Sequence, residues 1–212
     1  MSAKRIAVLV SGGGTNLQAL IDAQAVDALG GGHICAVIAS KPEVYALDRA
    51  EKAGIPALTV ARKGCADIAA FSRAVEGALK PFAPDLIVLA GFLSILDAQF
   101  CETYPHIINI HPALIPAFCG KGMYGLKVHE AALGRGVKVT GATVHFVNAE
   151  ADCGPIIAQR TAEVLPDDTA ETLQQRVMTQ CEQILLPEAV HLFCAGRLRL
   201  EDGRAVILEG TL

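Results

Sequence analysis

Apolar positions in the first half of the chain gather into short continuous runs, separated by stretches in which they recur every three or four residues. The runs predict strands over 6–10, 34–39, 57–60 and 85–90, and the intervening pattern predicts helices from 16, over 44–53 and over 67–79. Runs that are apolar at every position belong to strands covered on both faces. The alternation therefore predicts an α/β fold around a single doubly wound, mostly parallel sheet. The rhythm changes after a short helix at 97–103. A strand ends at His111, a glycine-rich irregular stretch follows over 117–125, and a helix covers 127–133. Strands over 139–147 and 155–164, joined by a short acidic turn, predict an antiparallel part in the C-terminal half. A long helix opens at Asp168 or Thr169, is expected to kink at Pro187 and runs towards Ala195 and Gly196. A small hairpin then turns at Asp202 and Gly203. No repeat or linker-like shift in composition divides residues 1–212, which read as one domain.

Two polar side chains interrupt the apolar stretch 108–115. At strand spacing Asn109 and His111 share one face while Ile108 and Ile110 take the other. Pro112 ends the ladder and draws His111 out of the helical region, which puts the pair at the mouth of a strand, where α/β sheets bind ligands. An amide and an imidazole there can serve a carbonyl under attack: Asn109 donates to the developing oxyanion, and His111 donates a proton or stabilises the charge. A strand end whose polar side chains only satisfy loop backbone would give the same pattern.

The first strand runs directly into Ser11, Gly12, Gly13, Gly14, Thr15 and Asn16 and then into a helix. Free backbone N–H groups thus collect at a helix N-terminus, with Thr15 and Asn16 adding side-chain donors. The spacing matches neither Gly-x-Gly-x-x-Gly nor the loop ending in Gly-Lys-Ser/Thr, so it suits a single phosphomonoester better than a dinucleotide or ATP. An ordinary tight turn is the alternative. Further on, Thr143 and His145 share a strand face, and Asp152 precedes Cys153 and Gly154 in a turn. Asp152 either reaches His111, favouring and orienting its charged form, or is simply a turn residue. Lys121 is a phosphate contact or a solvated loop lysine. His106, His129 and His191 lack partners at ligand spacing, so no metal is expected.

Composition narrows the class. With 52% hydrophobic and 19% charged residues over 212 positions, the chain can bury a real core. The longest apolar run, 86–96, is broken by Gly91 and Ser94 and falls short of the roughly 18 residues a membrane helix needs, so no membrane partner is expected. The N-terminal run lacks a small-residue cleavage site and suits a first strand of a cytoplasmic protein. Seven cysteines, scattered and without a Cys-x-x-Cys pair, read as reduced and mostly buried thiols. A formal net charge of -4 without a dense basic run argues against nucleic acid as a partner and leaves any anionic ligand to local donors.

Together, residues 11–16 after the first strand, 85–96 (DLIVLAGFLSIL), 109–116 (NIHPALIP) and 141–155 (GATVHFVNAEADCGP) resemble the phosphoribosylglycinamide formyltransferases, folate-dependent enzymes of purine biosynthesis. The resemblance covers essentially the whole chain. It implies a Rossmann-like formyltransferase fold, a catalytic trio of Asn109, His111 and Asp152, and a supporting role for His145, with Thr143 beside it. It also implies that the loop, with Gly14, Thr15 and Asn16 foremost, holds a ribose phosphate. The pterin of 10-formyltetrahydrofolate would lie against Leu93, Ser94, Ile95 and Leu96 and against Asn148, Ala149, Glu150 and Ala151. Glu182 joins Lys121 as a candidate substrate contact.

The implied reaction is attack by the amine of glycinamide ribonucleotide on the formyl carbon. Asn109 and a protonated His111 would stabilise the oxyanion while Asp152 keeps His111 charged, without a metal or a covalent enzyme intermediate. A monomer or homodimer is expected. Ala113, Ser94 and Gln183 stand where the family more often has Ser, Arg and part of a Glu-His pair, and the 120–125 loop differs from a shorter Pro-Gly form. Among rivals, methionyl-tRNA formyltransferase would need a C-terminal nucleic-acid domain and formyltetrahydrofolate deformylase an N-terminal regulatory one. A non-catalytic phosphate-binding module leaves Asn109, His111 and Asp152 without a shared purpose. A nicotinamide oxidoreductase lacks the glycine spacing and an acidic residue after the second strand, which reads Ala39, Ser40, Lys41.

Overall fold

Seven strands form the central sheet: β1 (Lys4–Val10), β2 (Gly32–Ala39), β3 (Ala57–Thr59), β4 (Leu86–Leu89), β5 (Ile107–His111), β6 (Val139–Phe146) and β7 (Ile156–Glu163). Their order is β3-β2-β1-β4-β5-β6-β7 in the computed structural model, which describes residues 3–208. β1 to β5 run parallel, whereas β6 runs antiparallel to β5, and β7 to β6. The helices are α1 (Thr15–Ala25), α2 (Tyr45–Lys52), α3 (Ile68–Leu79), α4 (Ala98–Thr103), α5 (Leu126–Arg135), α6 (Ala170–Val177) and α7 (Gln183–Cys194).

Strand alternation sorts the core into two layers. Ile6, Val8 and Val10 of β1 face Leu17 and Leu20 of α1 and Leu186 and Val190 of α7, while Ala7 and Leu9 face Phe71, Val75 and Leu79 of α3 and Phe100 of α4. Both sides of β1 are thus sealed, as its unbroken apolar run requires. Chain order reverses between β1 and β4, so a crevice opens at their carboxyl ends.

Element limits follow local chemistry. Asp67 caps α3 by accepting from the Ala70 N–H at 2.7 Å, and Thr169 caps α6 in a reciprocal pair with Thr172. β8 (Leu198–Glu201) and β9 (Arg204–Ile207) pair around Asp202 and Gly203, which both take the positive φ that a two-residue hairpin turn demands.

Two expectations need correction. The single long helix is divided: a π-helical turn at Met178–Glu182 separates α6 from α7, and Pro187 lies inside α7. Pro187 supplies no N–H to the carbonyl four residues back and crowds it, but the ladder widens upstream, at the turn whose side chains face the crevice. The cysteines, all free, are not mostly buried: only Cys35, Cys181 and Cys194 are, because the others lie on loops and on α4 and not against the sheet. No helix among the described residues is long and apolar enough to cross a membrane.

Candidate active site

The carboxyl ends of β1, β4 and β5 open into one cavity of about 640 Å³. β1 delivers the Gly12 to Gly14 turn, and Gly14 caps α1 in the left-handed conformation. A Cβ on Gly14 would come within 2.7 Å of Ala46 Cβ, so the turn needs glycine there for space as well as for φ. Asn16 also lines the cavity, and its Nδ2 donates to Glu182 Oε2 at 2.8 Å, which ties one of its two N–H groups to a buried carboxylate.

The proposed trio is assembled by strand register. Asn109 on β5 lies opposite His145 on β6, and His111 lies opposite Thr143. After β6 the chain folds back on itself. The Phe146 N–H donates to the Pro155 carbonyl at 2.9 Å, and a Cβ on Gly154 would run into the Phe146 carbonyl oxygen. This closure brings Asp152, itself at positive φ, over the strand ends. One carboxylate oxygen lies 3.7 Å from His111 Nδ1 and the other 3.7 Å from His145 Nε2, which are ion-pair distances and too long for hydrogen bonds. The Gly120 N–H donates to Asp152 Oδ2 at 2.8 Å and ties the glycine-rich loop to the same carboxylate.

Backbone carbonyls assign both tautomers. His111 Nε2 donates to the Phe118 carbonyl at 2.8 Å, so Nδ1 is the nitrogen left facing Asp152. His145 Nδ1 donates to the Phe146 carbonyl at 2.8 Å, leaving Nε2 to accept from Asn109 Nδ2 at 3.0 Å. An amide nitrogen carries two protons, so Asn109 retains one N–H for a ligand.

Burial holds the His111 imidazole below its ordinary pKa. The Phe118 carbonyl and the Asp152 charge pull it upward, His145 pushes it down, and burial prevails. Burial also pushes Asp152 up, but His145, the Gly120 N–H and His111 together outweigh that and keep it below the usual carboxylate range. Burial thus favours a neutral His111 beside an anionic Asp152 and works against the expected effect of Asp152, which is to favour the charged ring. Its field has the expected sign and loses to desolvation. Two further groups line the same cavity. Burial drives Glu182 up to about 7 against the Asn16 hydrogen bond, and drives His129 down to about 4 with help from His111.

Gly12, Gly13, Gly14, Thr15, Asn16, Leu93, Ser94, Ile95, Asn109, His111, Lys121, Ala151, Asp152 and Glu182 all reach the cavity. Leu96 instead packs into the core layer under α3 and α4, because its side chain points inward where Leu93 and Ile95 point out. Asn148, Ala149 and Glu150 form the outer part of the turn carrying Asp152 and do not line the cavity; Asn148 Oδ1 accepts from the Glu150 N–H at 3.1 Å. His145 and Thr143 stand behind the wall. The Thr143 hydroxyl donates to the Ala113 carbonyl at 2.6 Å and accepts from the Ile115 N–H at 3.0 Å, fixing the chain just after His111.

Sequence reasoning missed Gln174 and Met178, which reach the cavity with Glu182. Their spacing of four puts all three along one helix face, a signal that was available. The same reasoning considered His129 only as a metal ligand and did not expect it at the cavity, where it is fully buried with no protein partner for either ring nitrogen among the described residues.

Residues 4–190 match the formyl transferase family. The chain is 39% identical over 205 residues to a phosphoribosylglycinamide formyltransferase of Haemophilus influenzae, covering 96% of this chain and 93% of that protein. It is 44% identical over 202 residues to the trifunctional purine biosynthetic protein adenosine-3 of Bos taurus, taking in 94% of this chain but only 19% of the relative's length. The fold matches the solved glycinamide ribonucleotide transformylase 1 of Symbiobacterium toebii with a TM-score of 0.90 at 40% identity, covering 98% of this chain and 95% of that one. The chain belongs to the formyl transferase family, among its phosphoribosylglycinamide formyltransferases.

Proposed function

We propose that this protein transfers the formyl group of 10-formyltetrahydrofolate to the primary amine of glycinamide ribonucleotide, giving formylglycinamide ribonucleotide and tetrahydrofolate. One observation carries the reading: Asn109, His111 and Asp152 line the same cavity as a glycine loop at a helix N-terminus, so one chamber offers a reacting centre and an anchor for a remote phosphate.

The amine attacks the formyl carbon, the carbonyl becomes an oxyanion, and the free N–H of Asn109 donates to it. The proton shed by the attacking nitrogen passes to His111 Nδ1. The imidazolium that forms lies between the oxyanion and the Asp152 carboxylate, which favour it more as charge develops. Collapse re-forms the carbonyl, breaks the bond to the folate N10 and returns the proton from His111 to that nitrogen. His111 ends as it began, and every proton is accounted for by His111 and the two substrates. The Phe118 carbonyl keeps Nδ1, and not Nε2, in the working position.

Around this centre, N–H groups of Gly13 and Gly14 and the α1 dipole receive the phosphate, and Glu182 takes a sugar hydroxyl. Leu93 and Ile95, 51% and 56% exposed at the cavity, offer apolar surface to a pterin. Lys121, the lysine lining the cavity, adds positive charge near the ribonucleotide. Both substrates are small molecules, and the reading places the reaction in the cytoplasm.

The test is a spectroscopic assay of tetrahydrofolate formation with and without glycinamide ribonucleotide. Turnover that depends on the acceptor is expected. Acceptor-independent release of formate would replace the reading with a deformylase, and no turnover under either condition would replace it with a binding module.

A further inference from the structure

A backbone anion site works only if its N–H groups face the ligand and its carbonyls face away, and glycine imposes neither orientation by itself. In a trans peptide the C=O of one residue and the N–H of the next point in opposite directions. Pinning a carbonyl outward therefore aims the following N–H inward. Three such pins hold this loop. The Gly12 carbonyl accepts from the Ala46 N–H at 3.2 Å, the Gly14 carbonyl accepts from the Gln18 N–H at 2.9 Å, and the Gly13 carbonyl accepts from Arg49 Nε at 2.9 Å. The N–H groups of Gly12, Gly13 and Gly14 meet no protein acceptor among the described residues. Two of the pins are backbone, and the third is the Arg49 side chain on α2, a helix that contributes no residue to the cavity wall.

Arg49 is itself held in place. Its Nη1 donates to Gln18 Oε1 at 2.8 Å, its guanidinium carbon lies 4.7 Å from the centre of the Tyr45 ring, and its Cδ would be 3.4 Å from a Cβ on Gly14. The guanidinium fork reaches two acceptors from two nitrogens held in one plane, a geometry that the single ammonium of a lysine does not reproduce. We infer that Arg49 is a positioning residue for the substrate phosphate: by fixing the Gly13–Gly14 peptide it aims the Gly14 N–H into the cavity, and it adds a positive charge on the far side of the loop. The inference rests on the proposed transfer reaction and assigns Arg49 a part in it without contact with either substrate.

The experiment compares wild type with Arg49→Met, Arg49→Lys and Gln18→Met on glycinamide ribonucleotide and on the same acceptor without its phosphate. Arg49→Met is expected to raise the KM for the ribonucleotide about 10-fold, the lower end for losing a hydrogen bond to a charged group. The kcat at saturation and the KM for the formyl folate should hold. Arg49→Lys and Gln18→Met should shift the same KM in the same direction by less. On the phosphate-free acceptor all four proteins should share one kcat/KM, because no phosphate remains to be aimed at.

Equal losses on both acceptors would make Arg49 a general structural residue and overturn the inference, as would an unchanged ribonucleotide KM in Arg49→Met. Calorimetric binding of ribose 5-phosphate against ribose carries the same comparison without turnover. A wild type that selects the phosphorylated sugar but transfers no formyl group would contradict the proposed reaction alone. Loss of that selectivity in Arg49→Met would support Arg49 in its positioning part, and undiminished selectivity in the variant would overturn it.

Discussion

The wall proposed to receive the phosphate and the wall proposed to handle the proton are made of different material. The first is backbone: a single stretch from Gly12 to Gly14 in the parallel half, pinned by its own carbonyls. The second is side chain: Asn109 from β5, His145 from β6 and Asp152 from the turn after it, gathered by the antiparallel half. A backbone site keeps its N–H donors under substitution but depends on the groups that aim them, and at Gly14 it leaves no space for added bulk. A side-chain site fails when one functional group is removed. The difference predicts which substitutions harm turnover, which harm binding and which harm only stability.

The largest effects belong to the side-chain wall. Asn109→Ala removes an oxyanion donor and should cost roughly 100- to 1,000-fold in kcat. His111→Ala removes the proton carrier and should cost roughly 100- to 10,000-fold. Steady-state kinetics check both, with each KM staying close to wild type; near-normal turnover in either variant breaks the comparison.

Glu182 gives an effect that pH reveals. Its folded carboxyl titrates at about 7 instead of the ordinary 4.5, so its stabilising contribution is complete below about 4.5 and is lost as pH rises through about 7. Wild type should therefore lose up to about 3 kcal/mol of stability across that window, and Glu182→Gln should not. Denaturant titrations at pH 4.5 and pH 8 measure it, and parallel pH dependence in the two proteins would count against a buried, reluctantly ionised carboxyl.

On the backbone wall, Gly14→Ala forces a side chain into positive φ and against Ala46. A loss of about 1–2 kcal/mol from the left-handed conformation alone is expected, together with weaker phosphate binding and a kcat that holds at saturation. The smallest effect is Thr169→Ala, which removes the cap of α6 and should cost about 1 kcal/mol with no change in kcat, read as a shift in thermal midpoint.

The same contrast explains what could be read from the sequence. The glycine turn was legible because its geometry is a property of contiguous residues: strand, glycines, helix. Asn109 and His111 were legible as a pair because strand alternation fixes their faces, and Asp67, Thr169 and the Asp202–Gly203 turn because their chemistry acts within three residues. From the residues Asp152 was either a partner of His111 or a turn residue, and family resemblance alone put it in the trio. Its approach depends on Gly154 letting the chain close on Phe146, a tertiary fact with no local signature.

The opposing pull of burial on His111 was not legible for a related reason. The neighbouring carboxylate could be guessed, but the desolvation that outweighs it comes from packing by elements far apart in the chain. The Asn16 bond to Glu182 was not legible because that partner arrives from 166 residues away. The π-helical turn that presents Met178 and Glu182 was hidden by Pro187, which offered a nearer reason for the helix to deviate.

The central claim, a neutral His111 charged during the reaction beside an anionic Asp152, is tested most directly by the pH dependence of kcat/KM for the ribonucleotide in wild type and Asp152→Asn. In wild type the acid limb should fall below the ordinary imidazole value of 6.5, because burial lowers His111. Removing the Asp152 charge should lower turnover and move the limb further to acid, because the group that pulls His111 upward is gone. An acid limb at the same pH in both proteins, or one that moves towards neutral in the variant, would contradict it.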